Sequence, residues 1–193
     1  MTSGHWVFGY GSLMWRPGFD YIERVPARLH GVHRAFCISS VHHRGTPARP
    51  GLVLGLAPGG SVRGAAYGVA PAHWREVLAY LREREQPTET YVERQIAIRL
   101  ADGRKVTAVS YLSDRRHPQW VGRLPLEEQA RRISGAVGLS GPNIDYLRDL
   151  TEHLRAEGVG DHEMECLLAQ VEALDGRASA ASDDPQTSAF FDI

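Results

Sequence analysis

The sequence predicts an α+β fold: a small barrel-like mixed sheet with helices around it. Three observations carry this reading. About six short apolar segments of strand character occupy the chain up to Leu112. A single segment of helical periodicity interrupts them after Pro71. From Leu124 onward the periodicity is helical throughout. Strands first and helices after, rather than a regular alternation, indicate α+β. No linker divides the apolar segments, so residues 1–174 read as one domain. Residues 175–193, opening on a run rich in Ala, Ser, Asp and Gly, read as a mobile C-terminal tail.

Taken in order, Trp6, Val7, Phe8 and Tyr10 are aromatic or β-branched residues suited to a pleated, half-buried surface, and they open the chain as a strand. Arg16–Asp20 is a turn-rich connection. Glu23–Leu29 and Val32–Val41 read as two strands, and His42–Gly51 as a loop. Leu52–Leu56 reads as a short buried strand. Pro58-Gly59-Gly60 reads as a turn into a further strand, Val62–Val69. Pro71 opens a helix in which Trp74, Val77, Leu78 and Leu81 share one face. Pro87 sets its end near Gln86. Tyr91–Leu100 and Lys105–Leu112 form a hairpin around Ala101-Asp102-Gly103. Leu126, Ala130, Ile133 and Val137 mark a second helix, and Pro142 opens a third with Leu147, Leu150 and Leu154 on a stripe. Asp161 caps a fourth, carrying Met164, Leu167, Leu168 and Val171.

Composition narrows the function classes. The chain has 193 residues, 42% apolar and 23% charged, the profile of an ordinary globular protein. A formal net charge of -1 gives no general attraction to nucleic acid or to an anionic membrane, and neither is expected as a partner. Lys105 is the only lysine, so basic groups here suit carboxylate recognition better than amine catalysis. Cys37 and Cys166 are far apart and read as reduced thiols in a cytoplasmic protein. No apolar run approaches a membrane span, and the N-terminus does not read as a signal peptide.

The chemistry centres on Gly9-Tyr10-Gly11-Ser12-Leu13-Met14. A strand running into Gly-x-Gly-Ser reads either as a tight turn or as a loop that presents backbone N–H groups to a carboxylate, a phosphate or a developing oxyanion. A dinucleotide fingerprint would need glycine where Met14 stands, and a P-loop needs a lysine that is missing. A nucleophile elbow would need glycine at the positions held by Tyr10 and Met14, so Ser12 is not read as a nucleophile. Arg82-Glu83-Arg84-Glu85 ends the first helix. It reads as a solvated charged face, except that Glu85 lies four residues beyond Leu81 and so near the apolar stripe. A glutamate aimed at a pocket from a helix C-terminus has a raised pKa and the profile of a general base. Arg44 is either a carboxylate ligand or solvent-exposed, and Tyr111 either reaches a ligand or satisfies a backbone group. His42 and His43 lack a third partner at metal-ligand spacing, and no metal is expected. Asn143 and Tyr146 read as structural.

Several stretches together resemble the ChaC family from Trp6 to about Leu174. They are Val7–Pro17, His43–Pro47 with Pro50-Gly51, Tyr80–Glu85, and Ser140–Asn143 with Tyr146-Leu147. The resemblance implies a γ-glutamylcyclotransferase-like barrel and glutathione as a small-molecule substrate. It implies a reaction without cofactor that yields 5-oxoproline and cysteinylglycine. It maps the family's substrate loop onto Gly9–Met14 and its catalytic glutamate onto Glu85. Where some relatives carry Gly-Gly-Tyr, this chain has Glu89-Thr90-Tyr91 after Pro87, a stiffer loop with a second carboxylate. Two other functions stay open: cyclisation of other γ-glutamyl compounds, or a non-catalytic γ-glutamyl-binding or cation-transport regulatory role.

Overall fold

A computed structural model describes residues 4–85 and 90–182. Among these residues five strands close a barrel in the order β1-β3-β2-β4-β5, and four helices pack around it. The strands are β1 (His5–Gly9), β2 (Glu23–Ser40), β3 (Gly51–Val69), β4 (Tyr91–Leu100) and β5 (Lys105–Ser113). Their pairings are antiparallel except at the closing seam, where β1 meets β5 in parallel at Val7 and Val109. The sheet is therefore mixed, as expected.

The strands are longer than the sequence indicated. The two segments from Glu23 to Val41 are one strand, and so are the two from Leu52 to Val69. The Pro58-Gly59-Gly60 stretch does not reverse the chain. It faces Gly31 across the ladder: His30 pairs with Ser61 and Val32 with Pro58, so two residues oppose one. Gly31, Gly59 and Gly60 adopt φ of 89°, 97° and 72°, a left-handed backbone open to glycine at little cost. The result is a β-bulge, which bends a paired strand without breaking it. A second register shift lies between Phe36 and Ile38. Bent twice, the long β2–β3 hairpin follows the curve of the barrel.

Helix α1 (Trp74–Glu85) follows a single 3-10 turn at Pro71–His73 and buries Val77 and Leu81. Helix α2 (Leu126–Ile133) is shorter than the sequence indicated. Gly135 takes φ 61°, the chain leaves the helix, and Val137 joins a two-residue ladder of β6 (Val137–Gly138) with β7 (Gly141–Pro142). Helix α3 (Asn143–Ala156) buries Leu147, Leu150 and Leu154. Helix α4 (His162–Ser182) buries Met164, Leu167, Leu168 and Val171, and the Met164 N–H donates to the Asp161 carboxylate at 3.4 Å. The helix runs on to Ser182, into the stretch read as a tail; the rest of that stretch, with Pro87 and Glu89, lies outside the described residues.

Asn143 ties the helical layer to the barrel. Fully buried, it accepts from the Leu52 N–H at 2.7 Å and donates to the Leu52 carbonyl at 2.8 Å. Its structural reading from sequence agrees with this placement. Asn143→Ala leaves two buried backbone groups of β3 without partners, each costing roughly 1–3 kcal/mol. Urea denaturation of this variant is expected to show a lower midpoint with an unchanged m-value.

Candidate active site

Strand β1 runs through the barrel wall and ends at Gly9, after which the chain turns through a single 3-10 turn at Ser12–Met14. Glycine at position 9 answers to space, since a Cβ there would lie 2.7 Å from that of Leu13. At Gly11 the added carbon would lie 3.1 Å from Leu54 Cδ2. The Met14 N–H closes the turn on the Gly11 carbonyl at 2.8 Å. The N–H groups of Gly11, Ser12 and Leu13 meet no acceptor among the described residues. These three residues border a cavity, together with Phe8, Tyr10, Leu54, Glu85 and four polar groups from elsewhere: Tyr91, Ser110, Tyr111 and Tyr146.

Glu85 is the last residue of α1, and its side chain is 20% exposed. Burial raises its pKa above the ordinary 4.5, and the Arg84 guanidinium, 3.1 Å away, opposes that rise without cancelling it. Arg84 also fastens the helix end to the loop. It donates to Ser12 Oγ at 3.0 Å, to the Tyr80 hydroxyl at 3.0 Å and to the Arg16 and Pro17 carbonyls. The acid is therefore held against the Gly9–Met14 loop rather than turned to solvent.

The other ionisable groups of the cavity do not titrate near neutrality. Burial pushes Tyr10, Tyr91 and Tyr111 above the ordinary phenol value, and Tyr146 up to about 12. The Tyr10 hydroxyl donates to the Tyr111 carbonyl at 2.8 Å, that of Tyr111 to Glu93 at 3.0 Å, and that of Tyr91 to the Leu54 carbonyl. Ser110 donates to the Phe8 carbonyl at 2.9 Å. Cys37 lies outside this cavity, and burial holds its thiol at about 12. Glu85 is thus the one carboxyl lining the cavity among the described residues, and burial holds its pKa above the ordinary value.

A second, more open cavity shares Ser12, Glu85, Tyr91 and Tyr146 with the first. It extends past Ser39, His42, His43, Arg44, Thr90 and Gln119. Arg44 donates to the Pro142 carbonyl at 3.0 Å and sits 5.4 Å over the Tyr146 ring. His43 lies 3.0 Å from Ser140 Oγ. Among the described residues no cluster of three His, Cys, Asp or Glu could hold a metal.

Of the residues singled out from sequence, the inner cavity brings together Tyr10, Gly11, Ser12, Leu13, Tyr111 and Glu85. Gly9 stands behind the loop, and Met14 is buried with its sulfur 3.4 Å from Arg34. Arg44 belongs to the outer cavity. Sequence reasoning missed Tyr91 and Ser110, and read Tyr146 as structural although it lines both cavities. An available signal for Tyr91 was its place at the head of the strand that follows Glu85.

The barrel with its helical layer is of the γ-glutamylcyclotransferase-like fold class. The family described as ChaC-like protein matches residues 5–174, and the chain belongs to it. A glutathione-specific γ-glutamylcyclotransferase of Escherichia coli K12 is 37% identical over 169 residues, spanning 88% of this chain and 73% of that protein. Gamma-glutamylcyclotransferase 2-3 of Arabidopsis thaliana is 33% identical over 192 residues, covering 92% of this chain and 96% of its own. The crystal structure of a yeast γ-glutamyl cyclotransferase specific to glutathione superposes with a TM-score of 0.76 at 29% identity, over 90% of this chain and 100% of that one.

The raised pKa of Glu85 has a consequence for stability. The folded state binds this proton more tightly than the unfolded chain, so the folded state is favoured at low pH and loses that advantage as pH rises through the Glu85 pKa. Glu85→Gln cannot ionise. Its melting temperature is expected to exceed that of the parent at neutral pH, with the gap closing as pH falls below the ordinary carboxylate range. Calorimetry across that range checks this.

Proposed function

We propose that the protein is a glutathione-specific γ-glutamylcyclotransferase, releasing 5-oxoproline and cysteinylglycine. The observation that carries this reading is a largely buried carboxyl of raised pKa, Glu85, in a cavity bordered by amides of Gly11, Ser12 and Leu13 that meet no acceptor among the described residues. No Lys, Arg or His lines that cavity among the described residues. A purely anionic ligand would find a poor host there. A γ-glutamyl head, with an ammonium for Glu85 and a carboxylate for the amides, fits. The outer cavity, with Arg44 and hydroxyl or amide side chains, suits the peptide half of a γ-glutamyl peptide better than a plain amine.

The reaction needs no protein nucleophile. Glu85 takes a proton from the α-ammonium, and the freed amine attacks its own γ-carbonyl carbon. The negative oxygen of the tetrahedral intermediate, or the α-carboxylate beside it, rests on the loop amides; a lost donor of this kind typically costs roughly 3 kcal/mol. The protonated Glu85 then supplies the departing cysteinyl nitrogen, and the C–N bond breaks. The second proton lost by the attacking nitrogen follows the same path to the leaving amine. Folding the glutamyl chain into attack geometry makes the step unimolecular and supplies several kcal/mol more. A group with the raised pKa of Glu85 is better matched to this shuttle than an ordinary surface glutamate.

We place the protein in the cytoplasm, where a reducing environment would keep its two unpaired cysteines as thiols. Among the described residues no helix is long and apolar enough to cross a membrane.

Three outcomes test the reading. Glu85→Gln is expected to lose about 10²- to 10⁴-fold in kcat, and isothermal titration should still detect glutathione binding. Near-parental 5-oxoproline release by that variant would remove Glu85 from the mechanism. Gly11→Val, whose side chain enters the space between the loop and Leu54, is expected to raise KM about tenfold, close to 1.4 kcal/mol of binding. An unchanged KM would count against the loop as the substrate cradle. For the parent protein, wild-type-like turnover of γ-glutamyl amines lacking a terminal carboxylate would overturn the glutathione assignment in favour of a broader cyclotransferase.

A further inference from the structure

Arg34 is a buried cation that touches neither cavity. It projects from β2 with its side chain 2% exposed. Its Nε donates to the Tyr10 carbonyl at 2.7 Å, and one terminal nitrogen donates to the Arg63 carbonyl. The other terminal nitrogen faces the Asp161 carboxylate at 3.4 Å. A well-packed apolar side chain would serve stability about as well as a buried ion pair. The guanidinium therefore calls for an explanation beyond packing.

The Tyr10 contact bears on the residue that follows. A trans peptide is planar, and its C=O and N–H point in opposite directions; no described peptide is cis. With the Tyr10 carbonyl drawn toward Arg34, the N–H of Gly11 is turned the opposite way. Gly11 is also a wall residue of the cavity that holds Glu85. The next two peptides of the loop are fixed by the main chain itself. The Gly11 carbonyl accepts from the Met14 N–H at 2.8 Å, and the Ser12 carbonyl accepts from the Arg16 N–H at 2.8 Å. Of the three peptides that carry the unpaired N–H groups, only Tyr10–Gly11 has its carbonyl held by a side chain. The glycine at its C-terminal side offers little resistance to a flip of that peptide.

We propose that Arg34 is a positioning residue for catalysis: it locks the Tyr10–Gly11 peptide in the orientation that offers the Gly11 N–H to an anionic oxygen of the γ-glutamyl group. It acts through the loop and never meets the substrate. Asp161, at the start of α4, balances its charge and couples the helical layer to the same peptide. This inference deepens the cyclotransferase reading and rests on it.

The test has three parts. Parent protein that releases no 5-oxoproline from glutathione would sink the functional reading itself. Given turnover, ¹⁵N-labelled parent protein titrated to saturation with 5-oxoproline is expected to show a downfield shift of the Gly11 amide. A Gly11 amide that stays still while its neighbours move would overturn the role given to Arg34 and leave the activity standing. Arg34→Lys keeps the charge opposite Asp161 but loses the planar fork. It is expected to lower kcat/KM at least tenfold, toward the roughly 10²-fold loss of a missing donor, and to abolish the Gly11 shift while other loop amides still respond. A folded Arg34→Lys protein with parental kcat/KM and a parental Gly11 response would overturn the inference. Should that variant fail to fold, the parent titration decides alone.

Discussion

A carboxyl group taken out of water at the C-terminal end of a helix is the constraint around which this molecule is built. Both circumstances work against ionisation: burial removes solvation, and the helix end is the negative pole of its dipole. The fold tolerates Glu85 because Arg84, one residue earlier, supplies a counter-charge while roping the helix end to the loop after β1. The compensation is incomplete, which leaves the acid with a raised pKa. Had the pairing been stronger, the carboxylate would be stable and a poor base. The same incomplete balance that would serve the proposed proton transfer costs the folded state some stability at neutral pH.

Around that acid the barrel supplies order rather than charge. The inner cavity is walled by aromatic side chains whose hydroxyl groups are already committed, those of Tyr10 and Tyr91 to backbone carbonyls and that of Tyr111 to Glu93. Glu93 in turn is held by two hydrogen bonds from Arg82, at 2.7 and 2.9 Å. The wall is thus stiffened from behind. A site that fixes dipoles in advance avoids reorganising them during reaction, and this is where much of the catalytic advantage of such sites lies.

Much of this was legible in the sequence, and the failures have physical causes. The periodicity of α1, α3 and α4 named the buried faces correctly, because helix burial here is decided by spacing within one element. Strand β3 was broken in two because glycine and proline at positions 58–60 carry turn chemistry, and β2 was broken at Gly31, which faces them. A bulge uses the same residues, and only the partner strand decides between the two. Glu85 was readable from its offset to Leu81. Arg34 was not readable at all. It sits in a strand that carries several other arginines and histidines, and its partners are a carbonyl 24 residues away and a carboxylate 127 residues away. Tyr146 likewise owes its place to how α3 docks, which local pattern does not encode.

The carboxyl that Glu85 brings to the inner cavity has a bearing on how a turnover would end. In the proposed reaction the substrate enters with a positive nitrogen that Glu85 attracts, and ring closure converts that nitrogen to a neutral lactam. What remains in the cavity bears only negative charge, beside an acid that becomes an anion again once it has delivered its proton. Attraction on entry thus gives way to repulsion on exit, and the chemistry itself clears the chamber for the next molecule.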